Sequence, residues 1–241
     1  ERSLLTNGLL TGLLLALGIA LDPVFLIPFL TIFLGLFAGS LLSGKTIGIN
    51  RLLKSFYLSI GVASLLHFPL IIDLLTGRSA SSLIGFEAWR KGTLGPSGIF
   101  NLDTGSFTNS SFTWTLLIVA VFALVFGKEK HLFLGVRSWL IIIFGFFAVW
   151  FADQGWWPGR TPEEETLFVP VAVGLAWASA IATAGMGSDL ADPNPKKLYL
   201  RRFSIGIAAL SLGVSSLPVL LGSLDGSWGA PRKELSSVLS F

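Results

Sequence analysis

The sequence predicts an all-α protein, a polytopic integral membrane helical bundle of about seven transmembrane helices, with its N-terminus inside and its C-terminus outside. Three observations predict it. Of 241 residues, 52% are hydrophobic and only 13% are charged, against roughly 25% charged in a soluble domain. The charges gather between long apolar runs, and about 18 apolar residues suffice, at 1.5 Å per helical residue, to cross roughly 30 Å of hydrocarbon. Lysine and arginine favour every other connection along the chain. A spanning segment must satisfy its own backbone hydrogen bonds, and these runs suit helices rather than an alternating barrel.

The first segment, Leu4–Leu21, lacks a basic leader and a small-residue cleavage site, so it reads as a span and not as a signal peptide. Leu21-Asp22-Pro23-Val24 follows. Proline removes a backbone donor and disfavours helix at the residue before it, which predicts a tight hairpin with Asp22 at the outer surface. Asp22 is then either a turn residue in the headgroup layer or an acid facing a substrate cavity.

Val24–Leu42 is the second segment and Phe56–Leu75 the third. His67 lies inside the third, two residues before Pro69, which cannot bond the carbonyl of Leu65. An intramembrane ionisable group is a functional candidate, and His67 is therefore a possible polar site; the alternative is a neutral ring bonded to a neighbouring helix. The outer loop 76–111 contains "SSLIGFEAWRKG", whose mixture of apolar residues with Glu87, Arg90 and Lys91 predicts a short helix in the interface. Arg90 and Lys91 would reach lipid headgroups. "FNLDTGSFTNSSFTW" is rich in turn formers, so Asp103 is a capping residue or a catalytic acid.

Phe112–Phe126 and Trp139–Phe151 are short for spans and are expected to extend into their flanks. Leu167–Met186 follows "TPEEET", where a proline and three acids suit the first turn of a helix. The connector "DLADPNPKKLYLRR" offers Lys196, Lys197, Arg201 and Arg202 to anionic headgroups. Phe203–Leu221 is the last segment, so residues 1–222 form the membrane domain and 223–241 begin an extracytoplasmic region. The opening Glu-Arg-Ser and the closing "PRKELSSVLSF" suggest a piece of a longer polypeptide continuing on both sides.

Orientation follows from the basic residues. Eleven fall on the N-terminal side with four acids, and six fall on the other side with ten acids, giving +7 and −4. The basic side is cytoplasmic, in the plasma membrane. Trp114, Trp150, Trp156 and Trp157 anchor the outer interface and Trp139 the inner one.

Several chemistries are excluded or unsupported. The chain has no cysteine, which removes disulfides, thiolate metal sites and cysteine nucleophiles. It has no Asp-x-Asp in the basic connector, no glycine-rich phosphate loop and no metal-spaced His/Glu cluster, so no cofactor and no metal are expected in this segment. A net charge of +3 so distributed points to membrane lipids as partners and not to nucleic acid. The 27 glycines are scattered through the helices, where small residues let helices approach.

"FNLDTGSFTNSSFTWTLLIVAVFALVFG", "VRSWLIIIFGFFAVWFADQGWWPG", "LFVPVAVGLAWASAIATAG" and "LPVLLGSLDGSWGAP" occur in this order. Their succession resembles the membrane portion of large actinobacterial family 2 glycosyltransferase-like proteins, over most of the chain from about Val24. The resemblance implies a cytoplasmic catalytic domain before the segment and an extracytoplasmic region after it. It implies that the nucleotide-sugar site lies elsewhere, so no catalytic residue carries over. The expected role is anchoring, and positioning a polyprenyl-linked glycan acceptor. Two rivals remain: an outer-face glycosyltransferase using polyprenyl-phosphate sugars, with Asp22, Glu87 or Asp103 as the acid, and half of a transporter or channel lined by His67 and Asp22.

Overall fold

The computed structural model describes residues 4–44, 48–76, 95–102, 114–125, 130–156, 164–189, 202–203, 205–211 and 213–214. Among them there is no strand. The helices are α1 (Leu4–Leu21), α2 (Leu26–Leu42), α3 (Ile49–Leu66), α4 (Phe68–Leu75), α5 (Gly95–Phe100), α6 (Thr115–Val125), α7 (Lys130–Asp153) and α8 (Glu164–Asp189), with a 3₁₀ turn at Pro23–Phe25. Residues 202–203, 205–211 and 213–214 are helical as well. Among the described residues four helices are long and apolar enough to cross a membrane: α1, α2 with its preceding turn, α7 and α8. The protein is therefore a helical membrane protein.

Glycines determine how these helices meet. In lipid, association depends on close van der Waals fit, because lipid tails are as apolar as the helix surfaces. A Cβ added at Gly8 would fall 2.5 Å from Leu58, and one at Gly12 would fall 2.8 Å from Val62 and 3.0 Å from the Ser59 carbonyl, so α1 and α3 run parallel. On α2, a Cβ at Gly35 would fall 2.6 Å from Ile141 Cα, and one at Gly39 2.8 Å from Arg137 Cα, which sets α2 antiparallel to α7. Gly145 lies against Val171 and Pro170, and Gly174 against Ile142 and the Ser138 carbonyl, so α7 and α8 are antiparallel too. With Gly135 against the Ala123 carbonyl, α6 completes the seam.

The main core is built from α6, α7, α8 and the 205–208 stretch, around Val119, Ile142, Val171 and Ala178. A smaller one holds Leu15, Ala16 and Ala63 between α1 and α3. Outward, α1 exposes Leu5, Leu9, Leu13, Leu17 and Leu21, an apolar surface too large for water and suited to acyl chains. The helix directions place the start of α3, the end of α2 and the start of α7 at one end of the bundle. The Asp22 turn, the end of α7 and the start of α8 lie at the other.

Several boundaries differ from those expected. The fifth segment does lengthen at both ends, into α7 (Lys130–Asp153), and the third begins earlier, at Ile49. The third is also interrupted, with His67 (φ −103°, ψ 23°) between α3 and α4. Without an N–H at Pro69, regular helix cannot pass through the Leu65 carbonyl. Helix α5 was not foreseen: its Ile99 enters the main core, as does Leu102, a non-glycine residue at φ 52°. Trp139 is half-buried and its Nε1 donates to the Ala120 carbonyl of α6 at 2.9 Å. At the far end of α7, Gly155 (φ 71°) closes a Schellman cap, with Trp156 N–H donating to the Phe151 carbonyl at 3.3 Å and Gly155 N–H to Ala152 at 2.9 Å. Trp156 stacks edge-on against Trp150 (5.1 Å) and Phe151 (5.8 Å).

Candidate functional site

Several hydroxyls among the described residues serve their own helices. Thr11, Thr31, Ser40, Ser59, Ser138 and Thr183 each donate to a carbonyl one turn back, at 2.7–2.9 Å. Ser59 shares its proton with Gly8 of α1 at 3.1 Å, which ties the glycine contact to a polar one. Thr115 donates to the Ser211 carbonyl at 3.3 Å. These bonds satisfy polar groups that would be costly unpaired in hydrocarbon.

Asp22 sits in the turn between α1 and α2, in extended conformation (φ −149°, ψ 111°). It is exposed, and its Oδ1 accepts from Val24 N–H at 2.9 Å. That is the geometry of an N-cap, with Pro23 in the first position after it.

His67 is half-buried. Its backbone N–H donates to the Ala63 carbonyl at 3.0 Å, and its Nδ1 contacts the same oxygen at 3.0 Å. A carbonyl only accepts, so this contact requires the hydrogen on Nδ1 and leaves Nε2 as an acceptor in the neutral ring. The histidine thus caps α3 with its own side chain. The residue it bonds is on its own helix, not a neighbouring one. No hydrogen bond or ion pair joins His67 to Asp22.

Arg202 is helical and exposed. Glu87, Arg90, Lys91, Asp103, Lys196, Lys197 and Arg201 lie outside the described residues. Among the described residues no three His, Asp or Glu side chains converge as a metal site would need.

One polar residue stands apart. Arg137 is half-buried on α7, and its Nε is buried with no hydrogen-bond partner. Its guanidinium carbon lies 4.0 Å from the centre of the Phe133 ring. Sequence reasoning counted Arg137 only as one inner charge. The available signal was an arginine following "KEKHLFLGV" and opening directly onto the apolar "SWLIIIFGFFAVWF". The Gly-x-x-x-Gly spacing of Gly8/Gly12 and Gly35/Gly39 was an equally readable sign of helix contacts.

No protein-family profile, curated protein or solved structure matches this chain.

Proposed function

We propose that this chain is the membrane domain of a cell-envelope glycosyltransferase-like protein in the plasma membrane. It anchors the polypeptide and positions a polyprenyl-linked glycan acceptor, while a catalytic domain outside residues 1–241 performs the transfer. The reading includes seven crossings with the N-terminus cytoplasmic and the C-terminus outside: α1, α2, α3 with α4, α6 with its flanks, α7, α8 and residues 203–221. The family resemblance supplies the chemistry of the proposal. The observation that carries it is the use of polar groups: the hydroxyls bond helix carbonyls, Asp22 caps a turn and glycines fill the seams, as a scaffold requires. Arg51, Lys54 and Arg137 share one end of the bundle with the C-terminus of α2, and Asp22, Asp153 and Glu165 share the other, in keeping with the positive-inside rule.

A second reading, half of a transporter or channel, draws on the break at His67, since discontinuous helices often build midplane sites. Reconstitution separates the possibilities. The full-length protein should transfer sugar, whereas residues 1–241 alone should crosslink to a photoactivatable polyprenyl phosphate without transferring. Transfer by residues 1–241 that is lost in Asp22→Asn would establish the outer-face enzyme instead. Solute or ion flux through proteoliposomes that is lost in His67→Ala would establish the transporter.

A further inference from the structure

We infer that Arg137 binds the phosphate of a membrane lipid at the end of the bundle where α2 finishes and α7 begins. This rests only on the chain being a membrane protein, and stands whether or not the glycosyltransferase reading holds. Arg137 is seven residues beyond the first residue of α7, about 10 Å along the axis. An arginine so placed reaches back toward the headgroup layer and not toward the hydrocarbon centre.

Among the described residues nothing bonds the Arg137 Nε, and no described acid side chain lies at its end of the bundle. Arg137 packs against Gly39, near the C-terminus of α2, where an arginine would ordinarily meet free carbonyls. Three of those carbonyls are already engaged. The Gly39 carbonyl accepts from Ser43 N–H at 3.2 Å and from the Ser43 hydroxyl. The Leu41 carbonyl accepts from Gly44 N–H at 3.1 Å, and the Ser40 carbonyl receives a further contact from Ser43 Oγ at 3.4 Å. Asp22, Asp153 and Glu165, the acids whose side chains are described, belong to the opposite end of the bundle. A buried charged donor without a partner calls for a ligand or a water.

The side chain is also held in place. Its stem lies against Gly39, where even a Cβ would fall 2.9 Å from Arg137 Cγ, and its guanidinium covers Phe133 at 4.0 Å. A guanidinium fixed this way loses little freedom on binding, and its planar fork matches two oxygens of a phosphate. Charge is delocalised over the three nitrogens, so an oxyanion on the open edge neutralises the group as a whole. The oxyanion abundant at this depth is lipid phosphate, and Leu41, Leu42 and Leu132, exposed at the same end, offer an apolar surface for its chains.

The test uses purified full-length protein in neutral detergent, titrated with dioleoyl phosphatidic acid, with dioleoylglycerol or with inorganic phosphate. Bound lipid is counted by native mass spectrometry and thermal midpoints are followed in parallel. Phosphatidic acid should bind and raise the midpoint, while dioleoylglycerol should not. Arg137→Gln should weaken phosphatidic acid binding about tenfold or more. Arg137→Lys, which keeps the charge and the stem but lacks the fork, should fall between. Lys54→Gln, an exposed cation at the same end, should bind like the wild type. Equal binding of dioleoylglycerol, wild-type affinity in Arg137→Gln, or an equal loss in Lys54→Gln would overturn the assignment. Inorganic phosphate binding as tightly as the lipid would overturn the lipid source. If Arg137→Gln fails to fold, the Arg137→Lys and Lys54→Gln arms decide.

Discussion

Replacing glycine by alanine should have opposite signs at two positions on this bundle. At Gly35 the new Cβ would fall 2.6 Å from Ile141 Cα and 2.8 Å from Ile141 N. Carbon atoms prefer about 3.5–4.0 Å, and these targets are backbone, so α2 and α7 must separate by about 1 Å. A gap of that size forfeits roughly a quarter to a half of the dispersion well for each atom pair along the seam. Overpacking of this kind costs about 1–3 kcal/mol, set against the ~0.5–1 kcal/mol that alanine gains over glycine within a helix. A net loss of about 1–2 kcal/mol is expected. Gly61 on α3 has nothing within 4 Å of its virtual Cβ, so Gly61→Ala should stabilise by ~0.5–1 kcal/mol. Unfolding of each variant in mixed micelles titrated with sodium dodecyl sulfate, followed by circular dichroism, reads both. If Gly35→Ala is as benign as Gly61→Ala, the α2–α7 seam is not held by close backbone approach and the packing argument fails.

Three further outcomes are expected. Trp139→Phe keeps the ring's bulk but loses the 2.9 Å bond to the Ala120 carbonyl, and should cost about 1 kcal/mol in the same titration; a change within error would mean the bond contributes nothing. Asp22→Ala removes the cap on Val24 N–H and should cost about 1 kcal/mol, whereas Asp22→Asn, which caps equally well, should leave stability unchanged and, under the proposed function, the transfer activity too. Loss of that activity in Asp22→Asn would instead make Asp22 the acid of an outer-face enzyme. Because the chain has no cysteine, Asp103→Cys and Arg201→Cys can be probed singly with an impermeant maleimide, and they should be labelled from opposite faces of the membrane. Labelling from one face would remove the proposed threading.

Two of the chain breaks at candidate residues were readable before any coordinates. Pro23 announced the turn at Asp22, and Pro69 the missing bond at Leu65, because proline acts locally whatever surrounds it. What His67 bonds was not readable, since its ring shares the Ala63 carbonyl with its own backbone N–H, an arrangement that depends on the path of the backbone. The partner of Trp139 was hidden for a related reason. Tryptophan marks membrane interfaces on average, but its N–H takes whichever acceptor a neighbouring helix presents, here Ala120. Arg137 was visible as a charge and invisible as an orphan, because only the end of α2 shows that the nearby carbonyls are engaged.

By itself the sequence determined that this protein is made of apolar helices, roughly where four of them run, and which residues interrupt them. Run length against bilayer thickness and the backbone rules of proline are local quantities. The tertiary structure alone decided that Gly8 and Gly12 meet α3, that Gly35 and Gly39 meet α7, and that Arg137 is left without a counter-charge among the described side chains. Between helices in lipid there is no difference in hydrophobicity to direct pairing. The choice of partner falls to ångström-scale fit between two surfaces far apart in the chain.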